Sequence, residues 1–229
     1  MSQPVLRGVM IWFFILPYAI HNLFWTFVYW NQAQVALTPD QQEMLRIIII
    51  LEMIVLGIVM TCSSALALTV SKRILTSRAG RARSSLSGVW NEGRPSVIPL
   101  LLTGVLRFCF ICFWGLLLIV PGVIYAIRTM FYDVVIVGEG KSYRGALKRS
   151  KAIVHGHTWA ILWRYCLLFL LLPIAVNALT YIGYWITQGT GWPGTVAMDI
   201  VDAVLNGPAM LLLIISTVLL YKATLEKHA

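Results

Sequence analysis

The sequence predicts an all-α integral membrane protein with six spans, folded as a single membrane domain over residues 1–229. Two observations carry this. The chain is 59% hydrophobic and only 12% charged, against about 25% charged for soluble domains. Its apolar residues also run in blocks of spanning length rather than alternating at period 2 or 3.6. A third observation fixes the partner class. The net charge is +9, but Lys and Arg fill the gaps between apolar blocks, the placement that orients helices in a bilayer. That excludes nucleic acid as a partner and leaves membrane lipid, anionic by charge complementarity, with a membrane-protein partner or a second copy of the chain also open.

The first span, 9–30, is too long and too aromatic for a signal-peptide core. It ends in Phe24-Trp25-Thr26-Phe27-Val28-Tyr29-Trp30, an interfacial aromatic cluster. Pro17 is placed to kink it, and His21 and Asn22 are read as bonding to a neighbouring helix, with a polar pathway as the sharper reading. Thr38-Pro39-Asp40-Gln41-Gln42-Glu43 reads as a helix start. It leads into the second span, 46–70, with Glu52 and a small-residue patch at 61–65 that allows close helix approach.

Residues 71–96 are basic, with Lys72, Arg73, Arg78, Arg81, Arg83 and Arg94 against one acid, Glu92, and read as a cytoplasmic loop. The third span, 97–120, carries Arg107. Pro121-Gly122 breaks it, and a short fourth span, 123–137, carries Arg128 and Asp133. A kink at the break would put the basic segments 71–96 and 141–151 on opposite sides, so a hairpin is the preferred geometry. Equal distances from its turn suggest two ion pairs, Arg107–Asp133 and Glu52–Arg128. These are read first as structural pairs and second as the lining of a polar cavity.

At 142–155, Tyr143, Ala146, Leu147, Ser150, Ile153 and Val154 share one helical face, while Arg144, Lys148, Lys151 and His155 share another, with Arg149 beside them. Ser142 suits the start and Gly156 the stop. This is expected to be a surface helix, apolar face toward acyl chains and cations toward anionic headgroups. The fifth span is 159–187, with Arg164, Pro173 and Asn177. The sixth is 196–221, where Asp199 and Asp202 read as solvated acids at a helix start. Both termini are expected in the cytoplasm, since only Arg46 among the Lys and Arg residues then lies at the outer edge.

No HExxH, GxSxG or P-loop pattern occurs, so no catalytic residue is expected. No cofactor or metal site is expected either. His155 and His157 lack a third ligand, and Cys109-Phe110-Ile111-Cys112 is placed for packing inside a span. No clear repeat relates the two halves.

The run Leu117-Leu118-Ile119-Val120-Pro121-Gly122-Val123-Ile124-Tyr125-Ala126-Ile127-Arg128, followed by Val137-Gly138-Glu139-Gly140 and Ala146-Leu147-Lys148-Arg149-Ser150, resembles the bacterial YciC-like six-span inner-membrane proteins. It also resembles the related membrane domain attached to some glycerophosphoryl diester phosphodiesterases. The resemblance covers about 60 residues and implies a bacterial inner-membrane protein. No catalytic residue carries over, because the phosphodiesterase chemistry belongs to a separate soluble domain. The expected role is an accessory or organising membrane subunit with a basic cytoplasmic face. The alternative is a transporter or lipid-handling protein with a site around Arg107, Arg128, Asp133 and Glu52.

Overall fold

The computed structural model describes residues 4–34, 38–76, 86–156 and 158–226. Among them every regular element is helical. Six stretches are long and apolar enough to cross a membrane: Arg7–Trp30, Pro39–Arg73, Ser87–Leu117, Ile119–Glu139, Thr158–Thr187 and Trp192–Glu226. The chain is a multi-pass membrane protein. Residues 77–85, with Arg78, Arg81 and Arg83 of the basic loop, and His157 lie outside the described residues.

Helix α1 (Pro4–Met10) passes through a π-helical turn, Ile11–Ile15, into α2 (Leu16–Gln34). Pro17 accounts for the irregularity, since it has no N–H for the Phe13 carbonyl and its ring crowds that oxygen. The Leu16 N–H reaches back to Ile11 instead. The freed Phe13 carbonyl accepts the hydroxyl of Ser63 on α3 (Pro39–Thr76). Ser63 lies in the predicted small-residue patch, so the close approach expected there is made. The start of α3 is a reciprocal cap, with Thr38 N–H donating to Gln41 Oε1 at 2.9 Å and Gln41 N–H to Thr38 Oγ1 at 3.4 Å.

The basic loop is shorter than expected, because α3 runs on to Thr76 and α4 (Leu86–Leu117) starts well before the third apolar block. Arg73 pairs with Glu92 across this junction. The chain then turns back as the hairpin reading expects, but at Leu118, which is extended (φ −158°, ψ 131°). Pro121 and Gly122 fall inside the first turn of α5 (Ile119–Arg128). Pro121 is tolerated there because a first-turn N–H has no intrahelical acceptor. Gly122 packs on Gly115 so closely that a Cβ would lie 2.9 Å from the Gly115 Cα.

The fourth apolar block is two helices rather than one. After α5 the chain turns at Thr129–Phe131 and resumes as α6 (Tyr132–Glu139). Ser150 of α7 (Tyr143–Val154) stitches the turn. Its hydroxyl accepts from Phe131 N–H and donates to Arg128 O, both at 3.1 Å. Gly140 ends α6 in the left-handed region (φ +71°), as its C-terminal position suggests.

Helices α8 (Thr158–Thr187) and α9 (Trp192–Glu226) pair antiparallel. Two apolar clusters sit toward the basic side. One joins Leu68, Leu100, Phe131, Val135, Ile153 and Tyr221; the other joins Val9, Leu66, Val89 and Leu211. Helix α7 forms where the periodicity predicts, but the partner of its apolar face differs from the expectation. The face of α7 carrying Ala146, Leu147, Ile153 and Val154 is buried against the protein's own helices, not against acyl chains.

Candidate functional site

The two predicted ion pairs do not form. Arg107 Nε donates to Thr129 Oγ1 and its other guanidinium nitrogen to Ala126 O, each at 3.0 Å. Its Cζ lies 5.2 Å from the Tyr132 ring centroid. The Ala126 carbonyl, in the last turn of α5, and the Thr129 hydroxyl accept from the cation in place of a carboxylate. Asp133 accepts from Val134 N–H at 2.8 Å and faces a cleft of about 640 Å³ between α3 and α4. Glu52 pairs with His21 at 2.6 Å, and Arg128 opens on a different groove, between α5 and α8. The four residues are therefore not one site. Arg107 and Asp133 are close neighbours, while Glu52 and Arg128 belong elsewhere.

The polar cluster that the fold builds lies where α2 meets α9. His21 and Asn22 are adjacent, hence about 100° apart around α2, so one faces α3 and the other α9. Asn22 donates to Asp202 Oδ2 at 2.9 Å and to the Asp199 carbonyl at 3.3 Å. Asn206 donates to Asp202 Oδ1 at 2.7 Å. The Tyr184 hydroxyl of α8 donates to Asp199 Oδ1 at 2.5 Å. Asp199 and Asp202 are only 3% and 9% exposed, so they are not the solvated acids their place in the sequence suggests. Asp199 Oδ2 and Glu52 Oε2 are buried without a hydrogen-bond partner.

Such acids are expensive in a bilayer and mark functional positions by default. The structural reading is that they lock α2, α8 and α9 together; the chemical one is that Asp199 presents an unfilled acceptor to a cation. Among the described residues no three His, Cys, Asp or Glu gather as a metal-binding group. The expected reading of His21 and Asn22, a bond to a neighbouring helix, holds for both. Sequence reasoning missed Tyr184 and Asn206. The signal for Asn206 was present, since positions 199, 202 and 206 recur at helical spacing.

On the basic side, α7 divides its cations. Arg149 Nε is held by both oxygens of Glu139 at 3.0 Å. Glu139 also takes Lys141 at 3.1 Å and the Tyr221 hydroxyl at 2.7 Å. Lys151 Nζ lies 4.1 Å from the Tyr125 ring centroid. Burial pulls its ammonium below the ordinary lysine value, and the nearby Arg128 charge acts the same way. Arg144 and Lys148 are exposed, with no ion-pair partner among the described residues. Ser142 occupies the N-cap of α7, but its hydroxyl does not cap; Tyr143 N–H is taken by Thr103 Oγ1 at 3.0 Å.

Comparison of the chain with protein-family models, with characterised proteins and with solved structures finds no match.

Proposed function

We propose that this is a non-catalytic accessory or organising protein of a bacterial inner membrane, which holds a fixed cationic face against anionic lipid on the cytoplasmic side. The observation that carries this reading is the docking of α7. Its apolar face is committed to the protein core, so Arg144 and Lys148, exposed one turn apart, are carried on a docked helix and face away from it. A juxtamembrane cation contributes about 1 kcal/mol toward an anionic surface. Fixing several in one geometry adds orientation to that attraction. The resemblance of 117–128 and its following motifs to YciC-like proteins supports the bacterial inner-membrane assignment. The positive-inside bias supports the cytoplasmic placement of α7 and of both termini.

Native mass spectrometry of the protein released gently from its own membrane tests this. Retained anionic lipid that is lost in the Arg144→Glu, Lys148→Glu variant is the expected result. Retention unchanged by charge reversal would overturn the reading. A stoichiometric second polypeptide would name the complex that the accessory role requires.

A second reading, transport, is favoured by the buried acceptor on Asp199 and moves the proposed intramembrane site from Arg107 and Asp133 to Asp199 and Asp202. Under it, a cation raises the thermal stability of the wild type and leaves Asp199→Asn unmoved. Equal response of the two proteins counts against it.

A further inference from the structure

Six apolar stretches need not make six crossings, and the α4–α5 hairpin is where the count is decided. We propose that this hairpin is re-entrant, entering and leaving from the basic side. We further propose that the groove between α5 and α8 holds an anionic phospholipid of that leaflet, with its phosphate on Arg128.

Length comes first. Helix α5 has 10 residues, about 15 Å at the α-helical rise, which is half of a hydrocarbon core of about 30 Å. Its two ends can be placed. Arg128 and Trp159 border the same groove, and Trp159 and Trp163 are exposed at the start of α8, as an interfacial aromatic belt requires. Arg128 therefore lies at headgroup level on the basic side. From Trp159 to Trp185, near the far end of α8, is about 39 Å along the helix, close to a full headgroup-to-headgroup thickness. The hairpin tip, about 15 Å from Arg128, falls near the middle.

The chemistry of the tip agrees. Leu116 to Val120 are five consecutive apolar residues, all exposed, with Leu116 at 89%. Nothing from Phe113 to Ile124 carries a polar side-chain atom apart from the indole N–H of Trp114. The other far-side ends are polar: Thr38 to Glu43 at the start of α3, and Gln188 to Gly191 between α8 and α9. A turn facing water has no use for five apolar residues, whereas a turn in acyl chains must be apolar and must also satisfy its own backbone. This one comes close. Only Leu118 is non-helical; its N–H reaches Trp114 O at 2.9 Å, and Gly122 N–H reaches Leu118 O at 3.4 Å. Pro121 has no N–H to leave unsatisfied.

The groove that the hairpin opens against α8 measures about 770 Å³. Val123, Ile124, Ile127 and Leu162 give it an apolar wall, with Arg128 at its basic end. The Arg128 guanidinium is exposed and has no hydrogen-bond or ion-pair partner among the described residues. An apolar slot capped by a free cation at headgroup depth fits one acyl chain and a phosphate. The identity of this ligand rests on the lipid-contact reading above; the depth of the hairpin does not.

The test uses the full chain with its native cysteines replaced, in sealed vesicles of both orientations, probed with a charged, membrane-impermeant maleimide. Thr190→Cys, in the far turn, should label from the far face. Leu118→Cys should label from neither face, and a fluorophore there should be quenched most by nitroxides placed near the bilayer centre. Labelling of Leu118→Cys from the far face at the rate of Thr190→Cys overturns the re-entrant hairpin. For the ligand, native mass spectrometry from nanodiscs of mixed phosphatidylglycerol and phosphatidylcholine should show one retained phosphatidylglycerol. Arg128→Gln and the groove-filling Val123→Trp should both lose it. Equal retention in both variants, or no preference over phosphatidylcholine, overturns the phosphate site. Charge reversal at Arg144 and Lys148, which tests the surface reading, should leave Leu118→Cys labelling unchanged.

Discussion

Asp199 is held by one hydroxyl. Tyr184 donates to its Oδ1, and its Oδ2 is buried without a partner. Tyr184→Phe would leave both buried carboxylate oxygens without a protein donor, at a cost of about 1–3 kcal/mol. Asp199→Asn in the same background removes the charged acceptor and should recover part of that loss. The two substitutions therefore couple, and thermal unfolding in detergent of the two single variants and the double variant measures the coupling. Strict additivity would mean that the hydroxyl and the carboxylate do not act on each other. The burial of Asp199 was not legible in the sequence. Its position near a helix start suits a solvated acid, and only the approach of α2 and α8, remote in the chain, covers it. The pairing of His21 and Asn22 with other helices was legible, because polar side chains at bilayer depth must find partners somewhere.

At the scale of elements, the hairpin was legible in outline and misplaced in detail. Proline and glycine mark a break in any apolar run, yet Pro121 is better accommodated inside the first turn of a new helix than at the bend itself. The role of Gly122 is close approach rather than turning, since its neighbour across the hairpin is backbone that cannot move aside. Gly122→Ala should therefore destabilise the protein although alanine is the better helix former, with the clash exceeding the gain of up to about 1 kcal/mol in propensity. Gly57→Ala on α3, where a Cβ would meet nothing within 4 Å, should be neutral or stabilising. Opposite signs in thermal unfolding establish the contact; a matching gain at both positions would show that α4 and α5 do not touch there. Helix α7 teaches a related point. Its periodic apolar face was plain in the sequence, but periodicity says that a face is buried, not what buries it. Lipid and the protein's own core ask for the same residues.

For the molecule as a whole, the helix lengths carried the class, because they are set by the bilayer rather than by contacts between helices, and the charge pattern predicts an orientation on the same ground. What it could not carry is the number of crossings. A hairpin that spans the membrane adds two crossings and a re-entrant one adds none, so the parity, and with it the side on which every other segment lies, is the same for six crossings as for four. Lys148 on α7 and Lys222 near the end of α9 should accordingly be reached from one face, with Asp40 and Thr190 reached from the other, whichever count is right. Single-cysteine labelling at these four positions in oriented vesicles checks that arrangement. Should Lys148→Cys and Lys222→Cys label from opposite faces, α8 and α9 could not both cross, and the pairing of Tyr184 with Asp199 would have to be abandoned with them. With all four positions labelling as expected, the crossing count rests on Leu118 alone, because the tip of the hairpin is where the two topologies put one residue in different solvents.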